Sequence, residues 1–262
     1  MKLRIWFLKV TLAMALLMAC LLIFPLSGIA KDTLLVYSGA GMRKPMDKIG
    51  VAFEKKYGVA VNCNYAGSNT LLSQIELTKK GDAYIPGATM YIDKAKEKGF
   101  VDYEQPVAYH IPVIAVPKGN PAKIIRLEDL TKPKVKIIFG DPKAAAIGKL
   151  GNKILKKNKI YKAVQKNIIA TTATVNELVI YISMNQADAS IIWRSSLLGT
   201  ENKINIVEIP KKQNCIKIIP IGRLTFSKNK EMAKSFVNFV ASSEGKSIFQ
   251  ECGFTTYPDP KY

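Results

Sequence analysis

From Thr33 almost to the C-terminus, short apolar runs alternate with stretches in which apolar residues recur every three or four positions. Thr33 to Tyr37 reads as a buried strand. Met46, Ile49 and Phe53 then fall at i, i+3 and i+7, one face of a helix that opens near Pro45 and ends at Gly58. Val59 to Tyr65 is the next strand, followed by a helix with Leu71, Leu72 and Ile75 inward and Gly81 closing it. A third strand, Ala83 to Ile85, leads through Pro86-Gly87 into a helix carrying Tyr91, Ala95 and Lys98. Ala108 to Val116 is a longer extended run with Pro112 inside it, which suits a crossover between two lobes better than the centre of a sheet. A second set follows, with strands Val135 to Phe139, Ile168 to Ala170 and Ala189 to Trp193. Its helices run from about Ala144 to Lys157 and from Val175 to Asn185. Ile216 to Leu224 reads as a return crossover, and the helix bearing Ala233, Phe236, Val237 and Val240 packs back on the first lobe.

Strands alternating with helices predict an α/β fold of doubly wound parallel sheets, in which ligands bind beyond the carboxyl ends of the strands. Four strand-to-helix loops are small and rich in glycine or hydroxyls: Ser38 to Gly41, Gly67 to Thr70, Gly140 to Gly148, and Thr171 to Val175. Free backbone N–H groups at a helix N-terminus, with short hydroxyls beside them, match the needs of an anion.

The first thirty residues have a different pattern. Lys2, Arg4 and Lys9 flank an apolar stretch from Val10 to Phe24, Pro25 breaks it, and Ser27-Gly28-Ile29-Ala30 ends it with mostly small residues. That is the layout of a signal peptide removed after Ala30. Leu17-Met18-Ala19-Cys20 offers a second reading, a lipid anchor at Cys20, and a retained membrane span is a third. The formal charge is +19, or +16 without the three basic residues of this leader. The lysines are scattered, and no nucleic-acid motif accompanies them, so a basic surface or an anionic ligand accounts for the excess. Cys63, Cys215 and Cys252 allow at most one internal disulfide, for which Cys215 with Cys252 is the expected pair, and no zinc-type spacing occurs.

Val36 to Met42, Tyr65 to Glu76, Gly140-Asp141-Pro142 and Ala189 to Trp193 together resemble the periplasmic molybdate-binding proteins of ABC importers, in the same order along the chain. The resemblance implies a type II periplasmic binding protein: two α/β lobes joined by two crossover strands and closing on a tetrahedral oxyanion, molybdate or tungstate. Residues 31–110 and 219–262 would form lobe 1 and residues 111–218 lobe 2. By the same resemblance, Gly41, Ser68, Ile147, Val175 and Trp193 are ligand positions, and Gly39 and Ala40 of the first loop join the ligand set through close backbone approach. Gly41 stands where the family has a serine, and Trp193 where it has a tyrosine. Arg43 is the candidate to replace the missing hydroxyl, since a guanidinium matches an oxyanion bidentately. Arg194 is a second candidate, and either arginine could instead be a solvated rim charge. Ser68 could serve as a helix N-cap and Trp193 as a cleft-wall aromatic. His110, the single histidine, reads as a packing residue of the hinge strand.

The implied partners are the oxyanion and an importer permease, with a monomeric chain, an extracytoplasmic location, no nucleic acid and no cofactor. Sulfate, phosphate or another anion on the same scaffold is the alternative. A secreted hydrolase is a more distant one, because no G-x-S-x-G elbow, H-E-x-x-H pair or Walker loop occurs and Ser68 has no visible base.

Overall fold

The computed structural model describes residues 33–262. The leader and the Cys20 anchor therefore lie outside the described residues. Residues Thr33–Tyr262 cluster as one unit.

Its larger sheet has six strands in the order β11 (Thr255–Thr256), β4 (Val101–His110), β10 (Lys217–Leu224), β3 (Ala83–Ile85), β1 (Thr33–Gly39) and β2 (Ala60–Ala66). Three of them, β1, β2 and β3, are parallel. Each feeds a helix: α1 (Arg43–Tyr57), α2 (Ser68–Thr78) and α3 (Thr89–Glu97). On α1 the predicted stripe is realised, with Met46, Ile49 and Phe53 fully buried. Gly58 ends the helix in the left-handed conformation at φ 71°, as glycine does at no steric cost. Phe53 packs edge-on against Phe236 of α7 (Lys230–Ala241), ring centroids 5.0 Å apart. Such a pair adds about 0.5–1.5 kcal/mol beyond the area it buries. The closing helix thus packs on the first set of elements, with Ala233, Phe236, Val237 and Val240 all buried.

The strand directions are mixed. β10 (Lys217–Leu224) runs antiparallel to both β3 and β4 (Val101–His110), and β11 (Thr255–Thr256) antiparallel to β4. A buried apolar strand reads the same in either direction, so the pattern could not reveal this. The long extended run divides at Ile111 into β4 and β5 (Pro112–Pro117), and the two halves belong to different sheets.

β5 is the centre of a three-stranded sheet, β8-β5-β9, with β8 (Ser190–Trp193) and β9 (Ile204–Val207) antiparallel to it. Beside it β6 (Ile137–Gly140) and β7 (Ile168–Thr172) pair in parallel, and an isolated parallel bridge joins Ile137 to Ala189. α4 (Ala146–Lys157), the short α5 (Tyr161–Gln165) and α6 (Val175–Ser183) complete this set. α4 approaches β6 so closely that a Cβ at Gly148 would lie 2.0 Å from the Gly140 carbonyl oxygen. Only glycine fits there.

Two further expectations are corrected. Helix α2 ends at Lys79, itself in the left-handed conformation at φ 49°, two residues before Gly81. α5, α8 (Ser243–Glu251), β9 and β11 lie in stretches that carried no assignment. Cys63, Cys215 and Cys252, the cysteines among the described residues, are free thiols. Cys215 packs against the core around β5, whereas Cys252 is buried in the core of the six-stranded sheet, so the two do not pair.

Candidate functional site

Three loops leave the carboxyl ends of β1, β2 and β3, where an α/β sheet presents its ligand site. In the first, Ala40–Met42 forms a turn of 3-10 helix that continues into α1, and Gly39 at its head provides no side-chain cap. In the second, α2 starts at Ser68 behind Gly67, again without a side-chain cap. In the third, Pro86-Gly87-Ala88 leads into α3. The first turns of α1, α2, α3 and α4 contain no acidic residue and no capping side chain. By contrast α6, α7 and α8 each have both, through Thr174 with Glu177, Asn229 with Glu231, and Ser242 with Glu244. Uncapped N–H groups at the positive end of a helix dipole can donate to water or to an anion.

One side chain ties these loops together, and it is His110, the last residue of β4. The residue is 6% exposed. Nδ1 lies 3.0 Å from the carbonyl oxygen of Gly87, which can only accept, so Nδ1 donates. In the neutral ring Nε2 is then an acceptor, and this buried atom has no hydrogen-bond partner. Leaving such a group unpaired costs about 1–3 kcal/mol. Burial, the larger influence, lowers the imidazole pKa from 6.5 to about 4 against the opposing pull of the Gly87 carbonyl, so the ring is neutral at pH 7. The position a Cβ would take on Gly41 is 3.7 Å from Nε2, and the corresponding position on Gly87 is 3.3 Å from the ring and 3.7 Å from Ser68 Oγ. At Gly87 a Cβ would press on the imidazole, whereas at Gly41 it would make only ordinary contact.

Ser68 belongs to the same cluster. Its Oγ accepts the Gly87 N–H at 3.0 Å, which leaves the hydroxyl proton for another acceptor. The buried Tyr84 hydroxyl donates to the Ser68 carbonyl at 2.7 Å and fixes the loop from below. Ser68 is therefore not the N-cap of α2 but the link between the second and third loops.

On its other side His110 stacks on Trp193, at the end of β8, with centroids 4.6 Å apart and planes at 17°. Pro112 pairs with Trp193 and the Arg194 N–H donates to the Ile111 carbonyl at 2.9 Å, so the stack spans the point where β4 passes into β5. Phe254 closes the lower edge, 5.7 Å from the imidazole.

The chain from Leu34 to Thr255 matches the family model for bacterial extracellular solute-binding proteins. The chain belongs to that family. A binding protein of Haemophilus influenzae is 29% identical to this solute-binding protein over 221 residues, 84% of this chain and 90% of that one. The molybdate-binding protein ModA of Mycobacterium bovis is 25% identical over 224 residues, 85% of this chain and 84% of its own. Among solved structures, the substrate binding domain of an ABC transporter from Clostridium difficile superposes with a TM-score of 0.74. It is 24% identical and covers 86% of this chain and 98% of its own. The sulfate-binding protein SubI of Mycobacterium tuberculosis gives 0.72 at 17% identity, covering 88% of both. These likenesses place the solute-binding protein in the mixed α/β, type II periplasmic fold.

Arg43, Ile147, Val175 and Arg194 make other contacts. Arg43, at the first turn of α1 and exposed, rests its guanidinium 4.0 Å above the Tyr65 ring. The Tyr65 hydroxyl donates to Asp47 at 2.5 Å, and burial pushes its pKa up. Ile147 and Val175 stand at the N-terminal turns of α4 and α6 and pack in the core around β5. The contacts that join Gly41, Ser68, Gly87 and Trp193 through His110 do not include them. The N-terminus of α6 already has Thr174 and Glu177, which exchange hydrogen bonds. Arg194 is committed elsewhere, its guanidinium paired with the Glu208 carboxylate. Among the described residues no cluster of His, Cys, Asp and Glu is suited to a metal ion, and no helix is long and apolar enough to cross a membrane.

Sequence reasoning missed His110 and Gly87. The third loop has the same strand-to-helix design as the first two, and a lone histidine ending a buried strand just before Pro112 was the available signal.

Proposed function

We propose that this protein is the solute-capturing component of an ABC importer and binds a tetrahedral oxyanion, molybdate or tungstate, for delivery to the permease. The observation that carries this reading is the convergence of three uncapped, acid-free loops on His110, which itself stacks on Trp193. A dianion leaves water only when fixed dipoles replace its hydration, and helix N-termini supply them with little reorganisation. In this reading Gly39, Ala40 and Gly41 contribute backbone N–H groups and Ser68 its hydroxyl. Ile147 and Val175 add N–H groups from the second set of elements, Trp193 forms the wall, and Arg43 leaves Tyr65 to reach the anion. The ModA relative supports molybdate as the solute.

The ligand then bridges residues 31–110 with 219–262 on one side and residues 111–218 on the other. Closure turns on β4–β5 and β10, and contacts from both sides favour the closed state by differential affinity.

Sulfate or phosphate is the second reading, and one observation favours phosphate over sulfate. The acceptor at His110 Nε2 favours an anion that keeps a proton, as hydrogen phosphate does. Thermal denaturation of ligand-stripped protein with each anion separates the two. At a hundredfold excess over Kd a true ligand stabilises by about 2.7 kcal/mol. Molybdate and tungstate should raise Tm most, and a larger rise with phosphate or sulfate would reverse the assignment.

A further inference from the structure

A site made only of donors suits a fully deprotonated oxyanion, and this one has an acceptor in it. Nδ1 of His110 is occupied as a donor to Gly87, so Nε2 presents a lone pair toward Gly41, the position where the resembling proteins carry a hydroxyl. The atom is buried and unpartnered. A lone pair facing a dianion repels it unless a proton lies between them.

We propose that His110 is a ligand-reading residue: its Nε2 shares one proton with an oxygen of the bound anion, so that capture of a deprotonated oxyanion is coupled to uptake of a proton from solvent. This rests on the oxyanion reading above. The shared chemistry is an N···H···O contact, and the proton has two sources. A hydrogen phosphate brings its own, whereas molybdate, tungstate or sulfate must draw one from water onto the imidazole.

The surroundings leave the imidazole free to do this. On β10 the residue paired with His110 is Lys217. The first loop offers no ionisable group nearer than Arg43, which lies over Tyr65. The third loop offers only Gly87, and β8 offers Trp193 followed by Arg194, which is paired with Glu208. The segment behind Phe254 carries Cys252 and Glu251, the latter paired with Lys48. Tyr109 projects from the opposite face of β4, toward a cavity of about 500 Å³ that it lines with Tyr257 and Tyr262. No carboxylate figures among the influences on the ring, which are burial and the Gly87 carbonyl alone. A bound anion would therefore be the first negative charge to favour the imidazolium.

Because the chain has one histidine, its imidazole can be read directly by nitrogen-15 NMR. At pH 7 the free protein should show a neutral ring protonated at Nδ1. Saturation with molybdate should convert it to the imidazolium, and phosphate should leave it neutral but shift Nε2 as a hydrogen-bond acceptor. Calorimetry at pH 8 in buffers of differing ionisation enthalpy should show about one proton taken up per molybdate, tungstate or sulfate and none per phosphate. Molybdate affinity should fall roughly tenfold per pH unit while the uptake persists. His110→Gln should abolish the uptake and flatten the pH dependence. An anion that binds while the imidazole spectrum and proton count stay unchanged overturns the inference and leaves the oxyanion reading standing. If none of the four anions binds, the oxyanion reading itself fails and this inference falls with it.

Discussion

His110 and Trp193 lie ring against ring, 4.6 Å between centroids, although one ends a strand of the six-stranded sheet and the other ends a strand of the three-stranded sheet. The stack is a direct side-chain link between the two sheets at the point where β4 becomes β5. It also places the only histidine of the chain beside the only tryptophan of the described residues. Stability and spectroscopy can therefore be assigned to single side chains.

The first prediction concerns acid. The folded pKa of His110 is about 4, below the ordinary 6.5, because burial disfavours the charged ring. Above pH 6.5 the ring is neutral in both folded and unfolded chains and contributes no pH dependence. As pH falls from 6.5 to 4 the unfolded chain binds the proton first, and stability declines by about 3 kcal/mol in total. Urea denaturation at pH 7.5, 5.5 and 4.5 should show a steeper loss in the wild type than in His110→Gln. Parallel losses would mean that His110 is not buried as a neutral ring.

The second concerns ligand contacts. Arg43→Ala should weaken oxyanion binding by about 1.5–3 kcal/mol, as expected for a lost charge-assisted hydrogen bond. Its effect on stability should stay within about 1 kcal/mol, because only an exposed contact with Tyr65 is removed. Ser68→Ala should weaken binding by about 0.5–1.5 kcal/mol. It should also loosen the third loop, since the Gly87 N–H loses its acceptor. Unchanged affinity in Arg43→Ala, measured by titration, would show that the guanidinium stays on Tyr65.

Much of this architecture was legible in the chain. The Met46, Ile49, Phe53 stripe and Gly58 defined α1, because a helix face and its left-handed cap are local properties. The first two anion-type loops were legible for the same reason. Strand direction was not, since the apolar residues of β10 pack equally well either way. Nor was the role of His110, which depends on β1, β3, β4 and β8 meeting in space. Along the sequence its neighbours are Tyr109 and Ile111, and neither indicates that Gly41, Gly87 and Trp193 surround it. The Cys215–Cys252 expectation failed similarly, because proximity of the C-terminal segment to the first set of elements does not bring two particular Cβ atoms within bonding range.

A third prediction tests the packing that positions the loop from Gly140 to Gly148, between β6 and α4. At Gly148 an added methyl would overlap the Gly140 carbonyl, so α4 must move off β6 to admit it. Gly148→Ala should cost about 1–3 kcal/mol, the range for overpacking a close contact. It should also reduce oxyanion affinity, because the N–H of Ile147 moves with the helix. Chemical denaturation and ligand titration of the same variant should change together, and a loss of stability with full affinity would remove Ile147 from the ligand set.

The most direct measurement is calorimetric titration of ligand-stripped protein with molybdate, tungstate, sulfate and phosphate. The account predicts one anion per chain, molybdate and tungstate bound comparably and more tightly than sulfate. It also predicts that Ser68→Ala and Arg43→Ala each weaken that binding. Tighter binding of sulfate or phosphate would contradict the assignment of the solute, and no binding of any of the four would contradict the oxyanion site itself.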